Sequence, residues 1–269
     1  MLRVVTLNVW NRQGPWDRRA PLIRRELAAL APDLVGLQEV LAFGGGSQAH
    51  DLVDGLGYHV AFASSWSIGG GLEFGNAIVS RHPIASARVV PLPIGEQEEI
   101  GRSLGVALVE TPHGVVPFFN THLDWPFHHG AQRLAQVLRI VDEIDAVVRE
   151  LPAALPPILV GDLNAEPDSD EVRFLSGLHV VEGRSTYLAD CWRAVGNAGP
   201  GHTYARRNPY ALTVREPSRR IDYVFVRGPD KAFRGEPLSA RVCFDQPDGD
   251  VWPSDHFGVV AELSTSEGA

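Results

Sequence analysis

The stretch PPILVGDLNAEPDSDE, residues 156–171, runs from an apolar core, Ile158 to Val160, straight into Asp162 and Asn164, two residue types that strands avoid. The same break recurs elsewhere. TLNVW carries Asn8, DLVGLQEV carries Glu39, FFNTHLD carries His122 and Asp124, and Asp255 and His256 stand before FGVVAEL. A carboxylate or amide buried without partners is costly, so one shared polar pocket at a common sheet edge is a better solution than separate burials. The donors in that pocket are hard: the carboxylates of Glu39, Asp162 and Asp255 and the amide oxygens of Asn8 and Asn164. Such a set suits Mg²⁺, Mn²⁺ or Ca²⁺ rather than a soft metal. A divalent cation and a neutral imidazole are the parts of a site that activates water; His122 and His256 are the histidines within the pattern, and an imidazole there needs a partner to fix its tautomer.

The elements that must position these residues are legible as periodicity. Short alternating or apolar runs, among them RVVTLNVW, YHVAFAS, NAIVSR, GVALVETP, VVPFFNTHL, IDYVFVRG and FGVVAEL, have the length and Val/Ile/Phe content of strands. Helical spacing places Ile23, Leu27 and Leu30 on one face, and Leu134, Val137, Leu138, Val141 and Ile144 on another. Asp168 to Glu171 has the pattern of a capping box for a third helix, and two stretches, 76–91 and 102–121, read as hairpins. The irregular interleaving of strands and helices predicts packed mixed sheets covered by helices. The chain reads as one domain over 1–264 with a frayed tail over 265–269, since no repeat and no low-complexity linker divides it.

Composition narrows the function. A formal charge of -9 opposes sequence-independent coating of nucleic acid. Lys231 is the only lysine, so a GxxxxGK[ST] phosphate loop is excluded. Cys191 and Cys243 sit in no metal-binding spacing and read as buried thiols. No run approaches the length of a membrane span and no signal peptide is evident, so the chain reads as cytoplasmic and monomeric. DLNAE fails as a calcium loop, because Pro167 and Arg173 stand where Gly and Glu are needed. GRSLG, residues 101–105, matches GxSxG and makes Ser103 a rival nucleophile, although a strand rather than the required helix is expected after it.

The motifs LNVW, LQEV, GNAIVSRHPI, NTHLD, GDLNAEP, RRIDYVFV and SDHFGVVAEL, in this order over residues 6–263, resemble those of the endonuclease/exonuclease/phosphatase superfamily. That superfamily includes DNase I, the abasic-site endonucleases and the bacterial sphingomyelinases. The resemblance implies a DNase I-like four-layered α/β sandwich, two mixed β-sheets flanked by helices, and a metal-dependent phosphodiesterase using Mg²⁺, with Mn²⁺ or Ca²⁺ as alternatives. It implies Glu39 as the principal metal carboxylate with Asn8 and Asp255 close by, His256 as the base oriented by Asp222, and Asp162 with Asn164 positioning nucleophile and phosphate. His122 would hydrogen-bond a phosphoryl oxygen, and Asn76 would support substrate binding. The substrate is a phosphodiester, either a small molecule or nucleic acid, with a DNA or RNA nuclease as the alternative. Outside the family stand a serine hydrolase on Ser103 and a binding module that has lost catalysis. Residues 202–220 hold five arginines against Glu216, which predicts an anion-gripping loop with Arg206 and Arg207 as substrate contacts. The glycine-rich segments 43–48 and 65–75 are expected to rim the site.

Overall fold

The computed structural model describes residues 1–95, 100–151 and 154–266. The alternating runs form strands and the 3.6-periodic runs form helices. In chain order the first half holds β1 (Leu2–Asn8), α1 (Trp16–Leu30), β2 (Leu34–Phe43), β3 (Gly46–Ser47), α2 (Gln48–Val53), β4 (His59–Gly69), β5 (Leu72–Ser80) and β6 (Ile84–Leu92). The second half holds β7 (Arg102–Thr111), β8 (Gly114–His122), α3 (Gly130–Glu150), β9 (Ile158–Asp162), α4 (Asp170–Leu175), β10 (Ala189–Asp190), α5 (Cys191–Ala194), β11 (Asp222–Val226), β12 (Pro237–Cys243) and β13 (Gly258–Leu263).

Among the described residues the strands form two sheets, β12-β13-β1-β2-β5-β4 with β3 beside β2, and β10-β11-β9-β8-β7-β6. Both are mixed, with parallel pairs β1/β2 and β8/β9 beside antiparallel neighbours. Two-residue alternation gives each sheet two buried faces. On the first sheet Val5, Leu7, Val35 and Leu37 meet Ile23 and Leu27 of α1 and Leu52 of α2. On the second, Phe119, Leu159, Tyr223 and Phe225 meet Val137, Ile140, Val141 and Ile144 of α3. Between the sheets lie Val4, Leu34, Ile78, Phe118, Val160 and Val224. This is the four-layered α/β sandwich expected. Close approach of the sheets depends on Gly36, where a Cβ would fall 2.3 Å from Val160 Cγ2 and 2.8 Å from Asn120 Oδ1.

The inter-sheet face changes character along the strands. On β1 it reads Val4, Thr6, Asn8; on β8, Phe118, Asn120, His122; on β9, Val160, Asp162. Strand β11 runs antiparallel to β9 and therefore starts where β9 ends, at Asp222. The registers Asn8↔Gln38, His122↔Asp162 and Asp222↔Asp162 bring the polar ends level. Beneath them Gln38 Nε2 donates to Asn120 Oδ1 (2.7 Å) and Thr6 Oγ1 (3.0 Å), and Asn120 Nδ2 donates to the carbonyls of Leu37 and Ala77 (both 2.9 Å). This satisfied polar layer divides the apolar interior from the charged edge.

Three local expectations need correction. Residues 76–91 are not a hairpin: β5 pairs with β2 and β4, whereas β6 pairs with β7 in the other sheet. The connection, Arg81-His82-Pro83, lacks tight-turn chemistry and carries the chain from one sheet to the other. The capping box does not form, since Ser169 is the N-cap and Glu171 is instead buried against Arg133 Nε at 2.7 Å. Of the tail, Thr265 is buried and its Oγ1 accepts from the terminal amine of Met1 at 2.6 Å, while 267–269 lie outside the described residues.

Candidate active site

The site is built from the ends of β1, β2, β8 and β9, the start of β11 and the segment preceding β13. Glu39 reaches it through a distortion of β2. Its φ is +56°, and the register with β5 breaks between Leu37 and Val40, a bulge that re-aims one side chain at the strand edge. Gln38 thereby stays between the sheets, Val40 returns to the helix-facing core, and Glu39 is held in the cleft. Asn8 Nδ2 donates to Glu39 Oε1 (3.2 Å) and to Asp162 Oδ2 (3.0 Å), and Asn11 Nδ2 donates to Glu39 Oε2 (2.9 Å). Asn164, also at positive φ (+49°), caps Asp162: its backbone N–H donates to Asp162 Oδ1 at 2.9 Å.

His256 Nδ1 lies 2.9 Å from Asp222 Oδ2, and its Nε2 faces Asp162 Oδ2 at 3.7 Å. Asp222 is itself seated by Thr203 Oγ1, which accepts from the backbone N–H groups of Ile221 and Asp222 (both 3.1 Å). Burial alone would lower the His256 pKa, but the combined pull of Asp222, Asp162 and Asp255 carries it well above the usual value. His122 goes the other way: burial first, then Arg102 and His256, push its pKa well below the usual value. Its Nε2 accepts from Asn164 Nδ2 at 3.0 Å, leaving the proton on Nδ1. Asp162 is raised to about 6 by burial and by Asp222, and Asp255 to about 7, where burial is the main cause and Glu39 adds to it. These carboxylates are crowded and short of counter-charge, and their donor atoms are hard oxygens. Glu39 and Asp255 therefore fit a divalent cation at one end of the cleft, with Asn8 beside them, its Oδ1 accepting from the Trp10 N–H at 2.9 Å. Asp162, Asp222 and His256 form a second compact group, in which the Asp222 hydrogen bond already occupies the imidazole Nδ1.

The cleft is a waist between two cavities. Asn11, Glu39, Trp125, Asn164 and His256 line both. One side, about 240 Å³, continues over Trp66, Phe74, Ile100 and Arg102; the other, about 260 Å³, over Trp10, Tyr204, Glu216, Arg219 and Asp255. The second glycine-rich segment supplies Trp66 and Phe74, as a rim would. Loop 43–48 contributes to neither cavity.

The structure brings together Asn8, Glu39, His122, Asp162, Asn164, Asp222, Asp255 and His256. It does not bring Arg206, Arg207 or Asn76 to the cavities. Arg207 pairs with Asp245 at 2.6 Å and lies over the Phe257 ring, 4.3 Å from its centroid, on the back of the segment that carries His256. Arg206 is exposed, with its backbone tied to Ser218. The arginine of that loop at the cavity is Arg219, which contacts Glu216 and lies over Phe127 and Tyr204. Asn76 is buried and donates to the Ser103 carbonyl (3.2 Å), behind the cavity wall. Ser103 is buried in β7, its Oγ 2.6 Å from Ser65 Oγ. With no helix behind it and no imidazole against it, Ser103 is no nucleophile elbow. Sequence reasoning missed Asn11, for which no motif speaks, and Arg19, whose signal was present: it stands four residues before Ile23 on the buried stripe of α1.

Residues 5–256 match the sequence profile of the Endonuclease/Exonuclease/phosphatase family. Among solved structures, the chain is similar to Danio rerio TDP2 complexed with single strand DNA product, with 21% identity, 98% of each chain covered and a TM-score of 0.76. It is also similar to an endonuclease/exonuclease/phosphatase from Beutenbergia cavernae, with 28% identity, 97% of this chain and 71% of that one covered, and a TM-score of 0.72. Protein angel homolog 2 of Danio rerio is 29% identical over 171 residues, which are 60% of this chain and 30% of that protein. With the profile spanning nearly all of it and the catalytic-type residues gathered at one edge, the chain belongs to the Endonuclease/Exonuclease/phosphatase family of phosphoester hydrolases.

Proposed function

We propose that the protein is a divalent-metal-dependent phosphodiesterase acting on a small diester. The observation that carries this reading is the pairing of His256 with Asp222 on one side and Asp162 on the other, at the waist between two cavities. A diester has two arms flanking the scissile phosphorus, and the waist offers a separate space for each. Spaces of about 240 and 260 Å³ admit ring-sized groups but leave a two-chain lipid mostly outside.

Glu39, Asn8 and Asp255 would hold the cation, which supplies charge neutralisation at the phosphoryl oxygens and the leaving oxygen. The protein's own residues do the remainder. Asp222 fixes the His256 ring with Nε2 toward the cleft. The His256–Asp162 pair accepts the proton of the attacking water, and the raised pKa of Asp162 brings that carboxylate close to the operating pH of a base. Thus the base expected to be His256 alone is better written as the pair. Asn164, whose Nδ2 donates to His122 Nε2 and to the Leu123 carbonyl, and neutral His122 form the polar wall against which the phosphoryl group would sit, and Arg219 faces the polar arm. Strand ends of DNA or RNA are the second reading, favoured by the Trp10–Tyr210 stack 5.0 Å apart beside the polar cavity and by the likeness to TDP2 bound to a DNA product.

The test is a screen of purified protein with Mg²⁺ and Mn²⁺ against bis(4-nitrophenyl) phosphate, its monoester, plasmid DNA, RNA and sphingomyelin. We expect turnover of the small diester that EDTA abolishes and Mg²⁺ or Mn²⁺ restores, with serine reagents inert. Full activity after exhaustive metal removal, or stoichiometric labelling of Ser103 with loss of turnover, would defeat the reading.

A further inference from the structure

Arg19 is 0% exposed, yet all six of its hydrogen bonds go to backbone carbonyls. Nε and Nη2 reach Gln13 O at 3.1 and 2.8 Å. Nη1 reaches Val9 O (2.9 Å) and Pro253 O (2.8 Å), and Nη2 reaches Trp10 O (3.2 Å) and Asn11 O (3.0 Å). The guanidinium sits over the rings of Trp10 and Trp16, 5.0 and 5.1 Å from their centroids. Burial lowers its pKa to about 10, still far above neutrality, so the group is charged.

A buried cation with carbonyls as its hydrogen-bond partners is an expensive arrangement, and what it joins gives the reason. The carbonyls belong to two segments far apart in sequence. Residues 9–13 follow Asn8 and contain Asn11, with Trp10 and Asn11 at φ +55° and +33°. Pro253 immediately precedes Ser254 and Asp255. Carbonyls turned inward by this left-handed backbone are drawn onto one planar fork, and the amide of Asn11 is thereby left facing Glu39. Ser254 Oγ, donating to Asn8 O at 2.7 Å, ties the same two segments a second time.

Resting on the metal reading above, we infer that Arg19 is a positioning residue for the cation end of the site. Its fork fixes segments 9–13 and 253–255 relative to each other, so that Glu39, Asn8 and Asp255 meet the metal in one geometry. Charge alone does not do this, because only a planar guanidinium carries five N–H donors in fixed directions.

The test is Mn²⁺ binding to the substrate-free protein, read by the electron paramagnetic resonance of free Mn²⁺, with near-ultraviolet circular dichroism to establish the fold. Arg19→Lys keeps the charge and loses the fork, so its Kd should rise by about tenfold or more, the usual effect of removing a group that orients metal ligands. Its kcat at saturating metal should fall while KM for bis(4-nitrophenyl) phosphate holds, since Arg19 does not touch substrate. If Arg19→Lys does not fold, Trp16→Leu removes one ring face more gently and should raise Kd in the same direction by about two- to threefold. A natively folded variant of either kind with wild-type Mn²⁺ affinity overturns the inference and leaves Arg19 as scaffold. Parent protein that binds no Mn²⁺ and needs none for turnover defeats the metal reading instead, so the two failures are distinct.

Discussion

The two imidazoles of the cleft hold opposite charge states because their neighbours differ. His256 faces three carboxylates whose pull outweighs its burial, whereas His122 is buried beside Arg102 and His256, both of which disfavour its proton. A His122 pKa below the usual value means a neutral ring throughout the physiological range, so its titration cannot set the acid limb of a pH–rate profile. His122→Gln, which keeps a hydrogen-bond donor, should lower kcat by no more than about 10²-fold and leave the acid limb where it is in the parent. His256→Ala removes the imidazole half of the His256–Asp162 base pair and should cost about 10² to 10⁴ in turnover. Stopped-flow pH profiles of both variants check this, and an acid limb displaced in His122→Gln would mean that His122 does titrate during turnover.

At the scale of elements, α3 does more than cover a sheet. Arg133, at its first turn, donates through Nε to Glu171 of α4 (2.7 Å) and through Nη1 and Nη2 to the carbonyls of Pro126 (2.7 Å) and Phe127 (3.3 Å). The held loop presents Trp125 to both cavities and Phe127 to Arg219, and Gln136 and His129 grip Asp124 within it. Arg133→Met should destabilise by about 3–5 kcal/mol in urea titration, because Glu171 is left buried and unpaired. Arg133→Met with Glu171→Leu should regain most of that, yet KM for the small diester should stay raised in both, since neither restores the loop carbonyls' donor. Recovery of KM along with stability would show that the loop needs no anchor. None of this is legible in the sequence: Arg133 belongs to no motif and Glu171 reads as part of a cap, because periodicity reports which face of a helix is apolar and is silent about a cation that crosses to another helix. The strand-end residues were legible for the complementary reason. Asn8, Glu39, Asp162 and His256 each interrupt an apolar run, and an interruption at a fixed place in an alternating pattern is a positional signal. Arg206 and Arg207 misled because charge density along a sequence does not say which side of a loop faces the cleft.

At the scale of the whole molecule, the arrangement of charge separates the small-diester reading from the nuclease one. The chain carries a formal -9, and the cleft itself is lined by Glu39, Asp162 and Asp255, so a long polyanion approaches against the field unless a basic track offsets it. Three of the arginines that could have contributed to such a track are committed elsewhere: Arg207 to Asp245, Arg220 to Asp190 at 2.8 Å, and Arg133 to Glu171. Arg219 remains at the polar cavity, partnered by Glu216 and by the faces of Phe127 and Tyr204. A substrate that makes one such contact has a weak salt dependence, whereas one that spans several phosphates loses affinity steeply, with a slope near 0.7 per contact for single strands. For bis(4-nitrophenyl) phosphate, kcat/KM should therefore change by less than about threefold between low and physiological salt. Arg219→Ala should raise KM several-fold, and Arg206→Ala with Arg207→Ala should leave it unchanged. Measured against a single-stranded oligonucleotide over the same range, a log–log slope of two or more, abolished by the Arg206 and Arg207 changes, would transfer support to the nuclease and place a phosphate track on the outer face of the arginine-rich loop.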